Sequence, residues 1–263
     1  MKICTRLFFL ITAALVLTGC RDSNQGQRSN LLETVRDTKI LRVGTSSDSA
    51  PWSFKDEQDN FVGYDMDLIR EIAKRMGTEV QITDMSFDAL VAAVQTGKVD
   101  VAICSMGAKE ERKKLVDFSQ MYHQQLNVYV AQQDSAITIN NVEDIVGYTV
   151  GVQSGTLPEQ YITELVDAGK MKDSQVSHYE KAEPLYLDLV SGRIQLIAGD
   201  IGQTREFMKL QPIKIVYETS FYGTGENIAV PKNQPEFLAE IDRILDELRT
   251  EGFLASLDAK WDV

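Results

Sequence analysis

The sequence predicts an α/β fold in which two lobes enclose a ligand cleft. Three observations carry that expectation. From Ile40 onward short apolar runs alternate with helically spaced ones, and such alternation favours parallel sheets wound by right-handed crossovers. A second set of similar order and length begins near residue 141, without residue-level repetition. Extended segments at 127–133 (NVYVAQQ) and 215–224 (IVYETSFYGT) stand where a chain would cross between the lobes twice.

The elements run in order along the chain. ILRVGT (40–45) reads as a strand, and DMDLIREIAKRMG (65–77) as a helix with Met66, Ile69, Ile72, Ala73 and Met76 on one face and Gly77 as its stop. EVQITDM (79–85) is a strand, SFDALVAAVQTG (86–97) a helix capped by Ser86, and VDVAICS (99–105) a strand. NVEDIVG (141–147) is a short helix, and YTVGVQSG (148–155) a strand entering a glycine turn. TLPEQYITELVDAG (156–169) is a helix with Pro158 in its first turn. QVSHYE, the helix AEPLYLDLVSGR, the strand IQLIAGD and a helix around QTREFMKL complete the second set. After IKIVYETS, the strand ENIAVPK (226–232) leads to helices with Ile241, Leu245 and Leu248 on one face, expected to return to the first lobe. The expected lobes are therefore 39–131 with 222–263, and 132–221.

Composition limits the function. With 263 residues, 43% hydrophobic and 25% charged, the chain can bury real cores and is not disordered. Its 27 Lys and Arg against 39 Asp and Glu give a net charge of −12, which repels phosphates and excludes nucleic-acid binding as a main function.

The first 19 residues stand apart. Met1 to Arg6 is a basic head and Leu7 to Leu17 an apolar run, shorter than the ~20 residues that span a bilayer but suited to a signal peptide. Leu17-Thr18-Gly19-Cys20 resembles the bacterial lipobox, which implies cleavage before Cys20 and acylation of its thiol. Residues 21–30 hold no apolar side chain, and 20–38 is expected to be a lipidated cysteine and flexible tether to the bilayer. The mature chain is then extracytoplasmic. Cys4 falls in the removed segment, so Cys104 is left alone as an inert core thiol and no disulfide framework is expected. His123 and His178 lie far apart without metal-ligand spacing, and Gly151-Val-Gln-Ser154-Gly is not a nucleophile elbow. No metal and no cofactor are expected.

The residues just past each strand carry the chemistry. Ser46, Ser47, Asp48 and Ser49 come after the first strand, and Ser105, Met106 and Gly107 after VDVAIC, ahead of Lys109-Glu-Glu-Arg112-Lys-Lys. Ser154-Gly155-Thr156 opens a helix, and Asp200 ends the strand IQLIAGD. Hydroxyls, a guanidinium, helix N–H donors and one carboxylate are the complement of a free amino acid. Its α-carboxylate suits a bidentate arginine with helix N–H groups, and its ammonium suits an aspartate.

From about Lys39 to Trp261 the chain resembles the periplasmic amino-acid-binding proteins of ABC importers, solute-binding family 3. The resemblance is carried by VGYDMDLIREIAKRMG (62–77), SFDALVAAVQTGKVDVAI (86–103), KEERKKLVDFSQMY (109–122), GVQSGT (151–156) and GRIQLIAGD (192–200). It implies that Arg112 and Thr156 take the ligand α-carboxylate, and that Asp200 with the Ser105 carbonyl takes the ammonium. It also implies that Phe87 faces the ligand side chain and that Trp52 walls the pocket or packs its first loop. The residues alone leave blander readings open: a solvated charge for Arg112, helix caps for Thr156 and Asp200, and core for Phe87.

The chain departs from the family at three positions. Gly107 lacks a hydroxyl usual there, Ser46 replaces a common aspartate, and Ser49 replaces a common aromatic ring. Asp48 and Glu226 are nearby acids that could receive a basic side chain. The expected function is capture of a free amino acid, polar or basic, by a monomer that closes its cleft and delivers to the importer's membrane subunits. A cyclohexadienyl dehydratase-like enzyme on the same fold and a ligand-sensing module are the alternatives.

Overall fold

The computed structural model describes residues 30–124, 126–221 and 225–263. The expected signal segment, Cys20 and residues 21–29 of the tether lie outside them. In chain order the first lobe holds α1 (Leu31–Thr38), β1 (Ile40–Thr45), a ribbon of β2 (Asp48–Ser49), β3 (Ser53–Lys55) and β4 (Phe61–Val62), then α2 (Tyr64–Met76) and β5 (Glu79–Asp84). A 3-10 turn (Phe87–Ala89) runs into α3 (Leu90–Gln95), and β6 (Val101–Ala102), the one-turn α4 (Glu110–Lys113) and β7 (Val116–Phe118) come next. The second lobe holds β8 (Asn127–Gln132), β9 (Val150–Gln153), α5 (Leu157–Asp167), β10 (Val176–Tyr179), α6 (Ala182–Val190), β11 (Leu196–Asp200), α7 (Ile201–Met208) and β12 (Ile213–Thr219). β13 (Ala229–Pro231), α8 (Pro235–Thr250) and α9 (Phe253–Trp261) return to the first lobe.

The helix signals in the sequence act as their chemistry requires. Gly77 ends α2 with φ 72°, and the predicted apolar face is buried. Thr156 caps α5, with Pro158 in the first turn. Ser86 does not cap a backbone N–H. Its hydroxyl donates to Asp88 Oδ1 at 2.5 Å, and the segment begins as a 3-10 turn.

The sheets run β5-β1-β6-β13-β7 and β10-β9-β11-β8-β12. They are mixed rather than parallel: β13 is antiparallel to both its neighbours, and so is β8. The cause is topological. Both strands enter their lobe directly from a crossing at the cleft, so each starts at the end where the other strands finish. The segments expected to be crossings, 127–133 and 215–224, are in large part β8 and β12 of the second sheet. The sheet pairing therefore puts 127–131 in the second lobe, and the first crossing precedes Asn127.

The tether expectation also changes. Asn30 caps α1 through Leu32 N, and Val35 with Leu31 and Leu32 packs into the core shared with α2, α8 and α9. Three apolar side chains at helical spacing outweigh the polarity of the residues before them. A second layer with Leu90 and Val94 of α3 covers the other face of the first sheet. The second sheet lies between α5 (Ile162, Leu165) and the pair α6 and α7 (Leu185, Tyr186, Ile201). Among the described residues no helix is long and apolar enough to cross a membrane.

Candidate functional site

The strand ends of both sheets meet at one cavity of about 70 Å³ between the lobes. By the ~10–15 Å³ that one water needs in this measure, it has room for about five waters. Ser46, Ser49, Phe87, Ser105, Gly107 and Arg112 line it from the first lobe, and Thr156 and Asp200 from the second.

Arg112 is the one buried side chain of the run KEERKK, at 6% exposure, because the single turn of α4 points it inward. Its Nη1 donates to Gly107 O at 2.6 Å in its own lobe, and its Nη2 donates to Gly155 O in the other. The guanidinium lies 5.1 Å from the Phe87 ring centroid. Among the described residues no carboxylate stands within ion-pair distance of it. Burial pushes its pKa down to about 10. The solvated-charge reading of Arg112 does not hold.

Across the interface Gly155 takes φ 84°, and a Cβ there would stand 3.1 Å from Asp88 Cα, so the lobes approach at backbone distance. Thr156 is a helix cap as well as a cavity residue: its hydroxyl accepts from Glu159 N and donates to Gln153 O. Asp200 likewise caps α7, its Oδ1 accepting from Gln203 N at 2.8 Å. Burial pushes the Asp200 carboxyl up to about 7.

Ser105 sits at the turn after β6 with φ 47°. Its N–H donates to Asp65 Oδ2 at 2.7 Å and its hydroxyl to Glu226 Oε1 at 2.6 Å. Tyr122 donates to the other oxygen of Asp65, whose carboxyl is raised to about 7 by burial. Glu226 stands on the second crossing, joined by backbone bridges to Gly107 and His123. Burial, then Asp65 and Asp200, hold its carboxyl well above the usual range.

Ser46 donates its hydroxyl to Asp48 Oδ1. Asp48 reaches across the cleft. Its Oδ2 accepts from Ala182 N, at the start of α6, at 3.0 Å and from Gln153 Nε2 at 3.5 Å, and its carbonyl accepts from Gln203 Nε2 at 3.4 Å.

Trp52 is the residue the cavity does not gather. At 1% exposure it packs on Tyr64 and His123, and its Nε1 points at Asp200 Oδ1 at 3.5 Å. It backs Asp200 and packs the first loop, the second of its two expected roles, because its indole is held against Tyr64 and His123. Sequence reading passed over Asn127, Gln153, Gln203, Pro158 and Leu185, which also line the cavity. Gln203 had one usable signal, lying one helical turn after Asp200. Cys104 is buried at the cavity wall, and burial raises its thiol pKa. Among the described residues no cluster of His, Cys, Asp and Glu forms a metal site.

A family model described as bacterial extracellular solute-binding proteins, family 3, matches residues 41–262. The chain is 31% identical over 260 residues to a probable histidine-binding protein of Campylobacter jejuni, covering 97% of each. Among solved structures, an ancestral arginine-binding protein bound to arginine aligns with a TM-score of 0.78 and 35% identity, over 85% of this chain and 98% of that one. An ancestral amino-acid-binding protein, AncCDT-1, described as a precursor of cyclohexadienyl dehydratase, aligns with a TM-score of 0.79 and 30% identity, over 89% of this chain and 99% of that one.

Proposed function

The chain belongs to family 3 of the bacterial extracellular solute-binding proteins, and from that premise we propose that it captures a free amino acid by closing its lobes and delivers it to an ABC importer. The observation that carries the reading is Arg112, a buried guanidinium without a carboxylate partner among the described residues, in a cavity that also holds Asp200. Arg112 with the Thr156 end of α5 and the Gly107 N–H takes the α-carboxylate. Asp200 and the Ser105 carbonyl take the ammonium. Phe87, Ser46 and Ser49 face the side chain.

The side chain preferred is polar or basic. Asp48, Asp200 and Glu226 line the cavity against Arg112, and this acid excess favours a ligand carrying positive charge. The names of the histidine-binding relative and the arginine-bound neighbour agree with that choice. Acylated Cys20 would tether the mature chain to a membrane as an extracytoplasmic monomer. Incorporation of labelled palmitate that disappears in C20A tests the tether.

The test of the binding reading is a thermal-shift panel of the twenty amino acids on protein beginning at Arg21, because a ligand that binds only the folded state raises its melting temperature. A large rise with one or a few related amino acids supports capture. No rise with any of them, repeated after unfolding and refolding to remove bound ligand, refutes it. A second reading draws on one observation, the carboxyl of Glu226 at the cavity, which burial holds well above the usual carboxylate range, the direction a general acid needs. That reading requires turnover of prephenate or arogenate that E226Q abolishes.

A further inference from the structure

The link that Arg112 makes between the lobes depends on one glycine. Its Nη2 donates to the Gly155 carbonyl, and Gly155 stands at φ 84°. A glycine turns about φ and ψ with little steric restraint, so hydrogen bonds must set where its carbonyl points. The peptide after Gly155 is held weakly inside the turn, its Thr156 N–H lying 3.4 Å from Gln153 O. The peptide before it is held firmly: the Gly155 N–H donates to Oε2 of Glu159 at 2.6 Å.

Glu159 is itself tied into that place. Its N–H donates to the Thr156 hydroxyl at 3.3 Å, which fixes the first turn of α5. Its second carboxylate oxygen, Oε1, meets Nδ1 of His178 on β10 at 2.8 Å. Both oxygens are thus engaged by protein groups, and the side chain is only 22% exposed. Its charge also reaches the first lobe, where it acts on Lys109 and Arg112 against the burial that lowers their pKa values. We propose that Glu159 is a positioning residue for the carboxylate end of the site, holding Gly155 in the conformation whose carbonyl receives Arg112 when the lobes close. This assignment rests on the amino-acid reading.

The guanidinium fork is then set from both sides. Gly107 O takes Nη1 within the first lobe and Gly155 O takes Nη2 from the second, and the rest of the five N–H donors are left to the ligand carboxylate. Glu159 acts on the guanidinium only through Gly155. Because Gly155 and Arg112 lie on different lobes, that action exists only in the closed form. Loss of Glu159 is therefore felt as faster release of ligand and not as slower capture.

The test compares E159A, E159D and E159Q with the wild type, using labelled L-arginine and L-histidine, or whichever of the twenty amino acids raises the melting temperature most. Association is read by stopped-flow fluorescence, and release by chasing the bound label with excess unlabelled amino acid. Gln keeps the reach and an acceptor oxygen without the charge, whereas Asp keeps the charge but falls one methylene short of the Gly155 N–H. E159A and E159D are expected to speed release about tenfold, the worth of the hydrogen bond from Arg112 that Glu159 supports. E159Q is expected to stay within about threefold of the wild type, and association within about twofold for all three. The reverse order, with E159D near the wild type and E159Q fast, would mean that the charge facing Lys109 and Arg112 acts, and would overturn the assignment. Equal effects of all three variants, unchanged release in E159A and E159D, or slowed association would each overturn it as well. Should E159A fail to fold, the contrast between E159D and E159Q decides. If the wild type binds none of the twenty, the amino-acid reading itself falls. Retained wild-type binding without the expected order removes only Glu159.

Discussion

Replacing Arg112 by methionine should separate ligand affinity from stability. The guanidinium hydrogen-bonds a carbonyl in each lobe, and burial pushes its pKa from 12.5 to about 10. That difference corresponds to about 3 kcal/mol by which the charged form is disfavoured in the empty cleft. Removing the charge relieves this cost. It also forfeits two charge-assisted hydrogen bonds at roughly 1.5–3 kcal/mol each and the contact with Phe87 at roughly 0.5–2 kcal/mol.

The losses, roughly 3.5–8 kcal/mol in all, are offset in part by the relief and leave a net cost of roughly 0.5–5 kcal/mol. The ligand-free melting temperature of R112M is therefore expected to fall by roughly 1–20 °C, at roughly 2–4 °C per kcal/mol for a chain of this size. Binding has no such offset. The ligand carboxylate would be desolvated without its counter-charge, and breaking one side of a buried pair costs roughly 3–5 kcal/mol. At about 1.4 kcal/mol per decade, affinity should fall by two to three and a half orders of magnitude, roughly. Calorimetry and thermal melts on the same preparations read both quantities. Arg112→Lys keeps the charge but not the planar fork, and is expected to recover only part of the loss. A folded R112M that binds within about fivefold of wild type would refute the carboxylate assignment, since that is under half the smallest cost expected for the broken pair. A collapse of ligand-free stability would instead make Arg112 a structural ion.

Three further outcomes are expected. D48A removes hydrogen bonds to Ala182 N and Gln153 across the cleft. It should speed release of a neutral ligand about tenfold, read by stopped-flow fluorescence, since two such bonds contribute roughly 0.5–1.5 kcal/mol each, and of a basic ligand by more, since Asp48 also belongs to the cavity's acid excess; unchanged release of neutral ligands would mean that Asp48 reads charge without latching the lobes. Asp65 and Asp200 have folded pKa values raised from 3.8 to about 7, so the folded state binds the extra protons between pH 4 and 7. Their contribution to ligand-free stability is complete below pH 4 and is lost as pH rises through 7, whereas affinity for an ammonium ligand rises over the same interval. Melting temperature with and without ligand at pH 5.5 and 8 checks both signs, and parallel trends would contradict the pairing. G63A places a Cβ 2.2 Å from Trp52 O at φ 128°, and should destabilise by several kcal/mol, on the order of 3, in urea titration.

The elements most legible in the sequence were those governed by local chemistry. α2 could be read because its apolar spacing, its acidic first turn and its terminal glycine all agree. The reversed strands β8 and β13 could not, because strand direction is set by where the chain enters a lobe and not by any residue within it. Arg112 shows the same division. Its composition points to solvent, and only the ordered motifs around it singled it out from its charged neighbours. Gln153 left no pattern, and the one-turn spacing of Gln203 from Asp200 was too weak to use, since a lone amide at a strand end or one turn into a helix is equally at home on a surface. For Trp52 two roles stayed open, walling the pocket or packing the first loop, because its contacts with Tyr64 and His123 span elements that spacing cannot join.

The charges of the cavity give a reason for closure to depend on the ligand. Burial disfavours the cation of Arg112 and the anion of Asp200, which stand on different lobes. A simple anion relieves the first and a simple cation the second, but only a molecule carrying both groups relieves them together, and in doing so it bridges the lobes. Among the described residues the polar links across the cleft are Arg112 to Gly155 O, Asp48 to Ala182 N and Gln153, Gln203 to Asp48 O, and Trp52 to Asp200. Each has a neutral group on at least one side, so none is an ion pair, and three of the five span 3.4 Å or more. They set the geometry of closure without holding it shut. A zwitterion that pairs Arg112 and Asp200 adds two charge-assisted contacts in a site sealed from water, where each is worth more than at the surface. On the proposed reading the ligand would supply the larger part of the free energy that closes the cleft, and a carboxylic acid lacking the ammonium should bind the first lobe without drawing in the second.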